Sequence, residues 1–453
     1  MERSAGTPPM GWNSWDCYGT TVTEAEVLAN AGVLAERLRP AGWDTVVVDI
    51  DWYDPTARAH GYTERAPIVL DGCGRQLPAP ERFPSAAGGR GFGPLAASVH
   101  ALGLRFGLHL LSGIPRLAVE RDLPVHGTPW TARDAADTSV TCTWNPHNHG
   151  LDHAHPAAQA YLDGLVAQLA SWGVDLVKLD DVLSPYRDAE IEAWARAIER
   201  SGRDILLSLS PGTGLSTVHL DHLRRHATMW RISDDLWDRW PDVHAQFARL
   251  ARWAPLQRPG GWADADMLPL GRIGLRAERG EPRDSLLTLD EQRTLLTLWT
   301  MARSPLMIGG DLPSSREDTL RLLADPALGR VLRSSRDGRE ILREPDADGE
   351  LIVWTARAVP EPDVAGPGAT PDDGPGAYVA LFWTGSGTHR AVVPVQSVLG
   401  LGTAPSGPPG WTARDLWAGT PPGAGPARRH EGPIAVDVPS HGVVWLLLTP
   451  SPR

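Results

Sequence analysis

Short apolar runs of strand length alternate with longer stretches whose apolar residues recur three and four positions apart. The first pattern is typical of buried strands and the second of amphipathic helices. Counting the opening segment, strands are predicted at 10–15, 45–51, 104–111, 174–181, 205–210, 229–235, 260–266 and 305–310. Helices are predicted between them at 23–42, 94–102, 156–172, 187–200, 220–226, 243–253 and 290–302. Such alternation over about 250 residues or more predicts an α/β fold, a (β/α)8 TIM barrel.

The pattern changes to a period of two after residue 336. Strands are predicted at 350–355, 377–383, 389–394, 434–438 and 443–448, separated by Pro- and Gly-rich tracts such as 360–376. Because strands continue on both sides, we interpret these tracts as long hairpin loops rather than interdomain linkers. The sequence therefore predicts a catalytic barrel over 1–335 and a C-terminal antiparallel β-sandwich domain over 336–453.

Composition narrows the class of partner. The chain carries 55 acidic and 43 basic side chains, a net charge of −12, which argues against nucleic acid or an anionic membrane. No apolar run reaches membrane-spanning length, and the N-terminus lacks an apolar signal core. Three scattered cysteines form no metal motif and disfavour a complete disulfide framework. We expect a cytoplasmic protein, and the sequence leaves its oligomeric state open.

The strand at 174–181 carries the only lysine of the chain, Lys178. Side chains alternate along a strand, so Lys178 and Asp180 are predicted to share one face. The pair could be a structural ion pair, or the lone lysine could reflect an arginine-rich composition. A functional role is favoured because a buried lysine–aspartate pair is costly to keep without use.

Acidic residues recur at the carboxyl ends of four predicted strands: Asp49/Asp51, Asp180/Asp181, Asp234/Asp235 and Asp264/Asp266. In a barrel these ends converge on one face. Such carboxylates suit either a Mg²⁺ or Ca²⁺ site or a glycosidase, which needs one carboxylate nucleophile and one carboxylic acid. Lys178 would oppose a metal and would keep Asp180 ionised. The glycosidase is therefore favoured, with no metal and no cofactor.

Seven motifs lie in order between residues 7 and 306: Thr7–Trp15, Arg82–Pro84, Val99–Leu108, Trp172–Asp180, Trp230–Arg231, Trp262–Met267 and Ser304–Leu306. Together they resemble glycoside hydrolase family 27, the α-galactosidases and their relatives. The resemblance implies a retaining exo-glycosidase acting on an oligosaccharide or glycoside, with Asp180 as nucleophile and Asp235 as acid/base. Spacing alone favours Asp235 over Asp234. The resemblance also places Trp15, Asp49, Lys178, Arg231 and Asp266 against the sugar.

The chain departs from the family pattern at three strands. The usual Asp-Asp-Cys-Trp is Asp49-Ile50-Asp51-Trp52, the usual Tyr is His109, and the usual Cys-Glu-Trp is Leu209-Ser210-Pro211. We expect His109 and Asp51 to contact substrate, Asp51 in place of the missing carboxylate, and Ser210 to lie at the 2-hydroxyl. The substrates of family relatives therefore all stay open: α-galactosides, α-N-acetylgalactosaminides, β-L-arabinopyranosides and isomaltose units.

Two further alternatives come from the residues themselves. A barrel that only binds sugar is disfavoured because Lys178, Asp180, Arg231 and Asp235 are all present. Four histidines at 147, 149, 153 and 155 could suggest a metal, but their spacing fits no standard zinc site. We interpret 147–155 as a polar surface loop.

Overall fold

A computed structural model of the chain describes residues 6–359, 376–399, 410–418 and 428–450. Eight parallel strands form one curved sheet: β1 Met10–Asn13, β2 Thr45–Val48, β3 Arg105–Leu111, β4 Leu176–Asp180, β5 Leu206–Leu209, β6 Met229–Arg231, β7 Trp262–Asp264 and β8 Leu306–Ile308. Their order in the sheet is β7-β6-β5-β4-β3-β2-β1-β8. The eight predicted strands and the (β/α)8 barrel are confirmed.

The barrel closes through the segment that follows β7. The backbone N–H of Leu268 donates to the carbonyl of Met307 at 2.7 Å, and that of Gly309 donates to Leu268 at 2.9 Å. Most strands are shorter than predicted because the chain leaves the ladder where its functional side chains begin. Asp51, Asp181 and Asp266, each one to three residues past a strand, have positive φ angles of 65°, 62° and 90°.

Helices surround the sheet. Their bounds are α1 Glu24–Val33, α2 Gly93–Ala101, α3 Pro156–Ser171, α4 Asp188–Ser201, α5 Leu220–His226, α6 Trp240–Trp253, α7 Leu289–Ala302, α8 Glu317–Leu323 and α9 Pro326–Ser334. A capping box begins α1 at Thr23, with Glu26 accepting from the Thr23 backbone at 2.9 Å. The first helix continues beyond α1 as a π-helical turn, Leu34–Leu38. Helix α6 begins three residues before its predicted start because Pro241 suits the first turn.

Two small antiparallel sheets are formed by segments that follow β3 and β7 of the barrel. Ile114–Pro115, Ala136–Thr141 and Asn148–Leu151 form a three-stranded sheet within the long loop after β3. A short hairpin, Arg272–Ile273 with Arg283–Asp284, follows β7. No helix in the described ranges is long and apolar enough to span a bilayer.

The C-terminal part is an antiparallel sandwich, as predicted. Its strands are β9 Ser335–Pro345, β10 Glu350–Ala358, β11 Ala377–Trp383, β12 His389–Val393, β13 Trp411–Asp415, β14 Arg428–His430, β15 Ile434–Val438 and β16 Val443–Pro450. Six of them form one sheet, while β12 pairs with β15. Strands β9, β13 and β14 were not predicted, because charged residues interrupt their apolar alternation. The predicted hairpin loop 360–376 lies outside the described residues except at its last position.

The sandwich packs directly on two barrel helices. Phe382 of β11 meets Phe247 of α6 edge to face at 5.1 Å, and the Trp417 indole donates to Thr297 of α7 at 2.8 Å. Tryptophans fill much of this interior. Ten of them are among the largest side chains with less than 2% of their surface exposed. Their abundance therefore reflects core packing more than sugar binding.

Candidate active site

Side chains from the first four strands, β1 to β4, meet at the carboxyl end of the barrel around one buried carboxylate. Asp49 follows β2 and has no exposed surface. It accepts hydrogen bonds from Asn13 at 2.9 Å, from Lys178 at 2.9 Å and from His109 at 2.7 Å. Burial by itself would raise its pKa, but the charges of His109 and Lys178 outweigh burial and hold the pKa of Asp49 well below its usual range.

His109 connects this carboxylate to the candidate nucleophile. Its Nδ1 binds Asp49, and its Nε2 approaches Asp180 Oδ2 at 3.3 Å. Burial disfavours the charged ring, yet the two carboxylates raise the pKa of His109 above its ordinary value. In turn, although burial opposes ionisation, the imidazole contact and then the Lys178 charge lower the pKa of Asp180. Asp180 is therefore kept ionised, as a nucleophile requires.

The support for Asp180 comes from a different cation than expected. Lys178 hydrogen-bonds Asp49 rather than Asp180, because the sheet register sets Lys178 beside His109 on β3. The lysine therefore acts on Asp180 through its charge, while His109 makes the direct contact. Local alternation placed Lys178 and Asp180 on one face, but only the neighbouring strands decide which partner each group meets.

A second ion cluster surrounds Arg231. This guanidinium is buried and contacts Asp266 at 2.8 Å and Asp235 at 3.2 Å. Burial, reinforced by Asp235 and Asp264, raises the pKa of Asp266 to about 7 despite the arginine. Asp234 is exposed and its carboxylate accepts a hydrogen bond from the backbone N–H of Asp235 at 3.0 Å. The arginine contact distinguishes Asp235 from Asp234.

Aromatic side chains from separate segments of the chain pack together beside the site. Trp15 stacks with Tyr62 at 6.3 Å, and Tyr62 lies 5.4 Å from Trp144. Burial and the nearby charges of Asp51, Asp49 and Asp180 raise the pKa of Tyr62 far above its ordinary value. Ile50 is buried in the same apolar cluster as Trp15. Sequence analysis missed Tyr62 and Trp144, since nothing in their loops distinguishes them locally.

Asp51 does not continue the strand alternation from Asp49. Because β2 ends at Val48 and Asp51 adopts a positive φ, its side chain turns toward the loop after β3. There its Oδ1 accepts from Asn145 at 3.1 Å and lies 3.3 Å from His147 Nδ1. The other oxygen, Oδ2, is buried and makes no hydrogen bond of good geometry among the described residues.

The four loop histidines occupy separate positions. His147 is buried, contrary to the interpretation as a surface loop, because Asp51 holds its ring. His153 pairs with Glu190 at 2.6 Å, and His155 accepts from the backbone of Ala157 as the cap of α3. His149 is partly buried, and burial lowers its pKa.

Three further polar residues lie in or near the site: the predicted Ser210 and, without having been predicted, Ser208 and Asp16. Ser210 is fully buried, and its hydroxyl has no hydrogen-bond partner in the described part of the chain. Ser208, two residues earlier, lines the cavity at the barrel centre together with Lys178 and Arg231. Asp16, directly after Trp15, is buried near the site, and burial followed by Asp266 and Asp235 raises its pKa. Its position directly after the Thr7–Trp15 motif was the available signal.

The charge balance of the site suits acid–base chemistry better than a divalent ion. Lys178, His109 and Arg231 are interleaved with the carboxylates of Asp49, Asp180 and Asp266. Cations already compensate the oxygens that would otherwise ligate a metal. Asp180 is kept ionised by its cationic neighbours, whereas the more exposed Asp235 lies beside Arg231. Glycoside hydrolysis uses two carboxyl groups that are held in different environments in this way.

Comparisons with known proteins agree with this geometry. A family model, Melibiase_2, described as α-galactosidase A, matches residues 149–329. A crystal structure of a GH27 β-L-arabinopyranosidase from Geobacillus stearothermophilus, with arabinose bound, shares 41% identity and a TM-score of 0.89. That match covers 99% of this chain and 98% of the other.

Curated relatives are more distant. An α-galactosidase from Oryza sativa subsp. japonica is 26% identical over 98% of this chain and 85% of its own length. An α-N-acetylgalactosaminidase from Mus musculus is 27% identical over 74% of this chain and 71% of its own. With this barrel, this sandwich, the ordered motifs and a 41% identical full-length relative, the chain belongs to glycoside hydrolase family 27 and is an α-galactosidase-like glycoside hydrolase.

Proposed function

We propose that the chain is a retaining exo-glycosidase in which Asp180 is the nucleophile and Asp235 the acid/base. The observation that supports these roles is the contrast between the two carboxyl groups. Asp180 lies deep, 13% exposed and in contact with His109, whereas Asp235 is 43% exposed at the rim beside Arg231. A buried, cation-supported carboxylate suits attack on the sugar, and a rim carboxyl suits proton delivery to a departing group.

The reaction then has two displacements. Asp180 attacks the anomeric carbon while the glycosidic bond breaks, and Asp235 gives its proton to the leaving oxygen. Water next attacks the anomeric carbon of the glycosyl-aspartate, Asp235 takes a proton from that water, and the bond to Asp180 breaks. Arg231 positions Asp235 and the neighbouring sugar hydroxyl. The separation expected between the two carboxyl groups is about 5–5.5 Å.

The mechanism is tested by product stereochemistry and by paired variants. NMR of the first-formed sugar should show the anomer of the substrate, and the opposite anomer would exclude retention. Asp235→Ala should still release nitrophenol from nitrophenyl glycosides in a rapid first turnover, because a good leaving group needs little protonation, while it loses natural substrates. Its later turnovers should be slow, because the base for the attacking water is missing, and azide should restore their rate because it needs no base. Asp234→Ala is the matched control, an adjacent carboxyl without the arginine contact. If Asp234→Ala shows that pattern instead, the assignment is off by one residue.

For specificity, we propose terminal β-L-arabinopyranosides as the preferred substrates. Ile50 carries this proposal: it is fully buried in the apolar cluster with Trp15, where the family's galactose-binding carboxylate would stand. β-L-Arabinopyranose has the ring hydroxyls of α-D-galactose but lacks the hydroxymethyl group, so it needs fewer acceptors and tolerates an apolar wall. The 41% identical Geobacillus stearothermophilus enzyme is a β-L-arabinopyranosidase.

The test compares kcat/KM on nitrophenyl β-L-arabinopyranoside, α-galactoside, α-N-acetylgalactosaminide and α-glucoside. One missing hydrogen bond to a charged group is worth about 1.5–3 kcal/mol, so we expect a preference of about 10- to 150-fold over the galactoside. Ile50→Asp should move the ratio toward the galactoside, whereas the control Ile50→Val should keep it. A wild-type preference for the galactoside would refute the specificity proposal without touching the mechanism. No turnover of any substrate would favour a barrel that only binds sugar.

An α-galactosidase is the second candidate, and Asp51 favours it. Its buried Oδ2 is not engaged in a hydrogen bond of good geometry, so it is available to accept one from a sugar hydroxyl. If Asp51 replaces the carboxylate lost at Ile50, Asp51→Asn should raise KM for the galactoside more than for the arabinopyranoside. Equal effects on both substrates would assign Asp51 to loop packing against Asn145 and His147.

A further inference from the structure

Three side chains with metal-ligating atoms converge on the outer layer of the barrel, apart from the catalytic carboxylates. His222 and His226 lie one turn apart on α5, and Glu192 lies on the neighbouring helix α4. Residues four apart share a helix face, so both imidazoles point toward α4. Their ring centroids are 4.6 Å apart, and one nitrogen from each ring and one Glu192 oxygen all lie within 4.8 Å of one another.

We propose that Glu192, His222 and His226 form a binding site for a divalent transition metal of the zinc type. Two imidazoles and one carboxylate are a donor set that suits zinc, with water as the fourth ligand. The three side chains are 39%, 19% and 18% exposed, so solvent reaches the fourth position. The site is independent of the proposed substrate and mechanism.

The distances lie close to those that zinc requires. With metal–ligand bonds of about 2.0–2.1 Å, ligand atoms of a tetrahedral site stand about 3.3 Å apart. His222 Nε2 is 3.3 Å from Glu192 Oε1, and His226 Nε2 is 4.0 Å from the same oxygen. A small side-chain rotation therefore completes the triangle. The other carboxylate oxygen, Oε2, accepts from Arg196 at 3.5 Å, which leaves Oε1 facing the two imidazoles.

A neighbouring phenol sets the orientation of one ligand. The hydroxyl of Tyr186 lies 2.7 Å from His222 Nδ1. When Nε2 binds a metal, Nδ1 carries the proton and donates it to an outer acceptor, which here is the phenol oxygen. The ring of His219 stacks on Tyr186 at 3.7 Å and holds the phenol in place. Metal ligands in proteins are commonly fixed by such outer contacts.

The position of the site gives the metal a structural consequence. Tyr186 belongs to the segment between β4, which ends with Asp180, and α4. An ion bound by residues of both α4 and α5 would hold these two helices together. Through the contact between His222 and Tyr186, it would also restrain the loop that follows Asp180. We therefore expect the metal to stabilise the fold while leaving basal glycosidase activity largely unchanged.

The experiment measures zinc binding to chelator-stripped and dialysed full-length protein. Calorimetry should give one tight site per chain, Co²⁺ should produce the visible absorption of tetrahedral cobalt, and zinc should raise the melting temperature. His222→Ala and His226→Ala should each weaken binding at least about tenfold, and Tyr186→Phe about 10-fold or more through the outer contact. Glu192→Gln, which keeps the shape of the side chain, should weaken it similarly.

His100→Ala is the matched control. His100 on α2 forms a comparable pair with Asp175 at 2.8 Å but belongs to no group of three metal-ligating side chains among the described residues, so its loss should not change zinc affinity. Circular dichroism confirms that each variant is folded. The proposal is overturned if the His222→Ala/His226→Ala double variant binds zinc as tightly as the wild type, or if His100→Ala loses as much. Either result would make the cluster a polar contact between helices.

Discussion

His109 is the residue whose removal tests the electrostatic design of the site most directly. Its Nε2 lies 3.3 Å from Asp180 Oδ2, and both side chains are largely buried. At an effective dielectric constant of about 20, a full charge at that distance stabilises the carboxylate by up to about 5 kcal/mol. Lys178 and Arg231 also interact with Asp180 through their charges, and they compensate part of the loss when His109 is removed. We therefore expect His109→Gln to raise the pKa of Asp180 toward its ordinary value.

The sign of the effect follows from the charge removed. Losing a cation beside a carboxylate favours its protonated form, so the acidic limb of the kcat/KM profile should move to higher pH. The assay is kcat/KM on a nitrophenyl glycoside across the acidic range, beside a thermal melt. His109→Tyr keeps a hydrogen-bond donor without the charge and should shift the limb in the same direction. His100→Gln, whose ring pairs with Asp175 away from the site, is the control. An unmoved limb in both His109 variants would refute the claim that His109 keeps Asp180 ionised.

Three further predictions follow from other contacts. Lys178→Met should destabilise the fold by about 3–5 kcal/mol, because Asp49 stays buried with one cationic partner fewer. Lys178→Arg should fold but lose most of its kcat/KM, because a guanidinium is larger and planar. Near-wild-type activity of Lys178→Arg would mean that only the charge matters. Asp266 has a pKa of about 7 against an ordinary 3.8, so the folded protein holds a proton there that the unfolded chain releases. The stability of the fold should therefore decrease as pH rises between these two values. Asp266→Asn should flatten the dependence of melting temperature on pH, and an unchanged slope would mean that another group causes it. Thr288→Ala should cost about 1 kcal/mol by removing the cap of α7, measured by chemical denaturation, whereas Thr288→Ser should not.

The local pattern of apolar and polar residues determined most of the secondary structure of this protein and several residues of its site. Apolar periodicity places the strands and helices, because residues two or four apart in sequence decide which face of an element is buried. Asp49, Asp180 and Asp266 could be named as site residues from their places at strand ends, since parallel strands in a barrel bring their carboxyl ends to one face. Arg231 was named only through the resemblance to glycoside hydrolase family 27. The sandwich strands with charged outer faces, such as β9, were not predicted because their apolar alternation is weak.

Tertiary structure decided what those side chains contact. Lys178 contacts Asp49, and His109 contacts Asp180. The register between β3 and β4 determines these partners, and the alternation along β4 does not. Tyr62 and Trp144 reach the site from loops whose local sequence carries no period. Glu192 joins His222 and His226 only because α4 packs against α5. Sequence fixes the chemistry available at each position, while distances between groups far apart in the chain, and the charges and pKa values that depend on them, exist only once the barrel has closed.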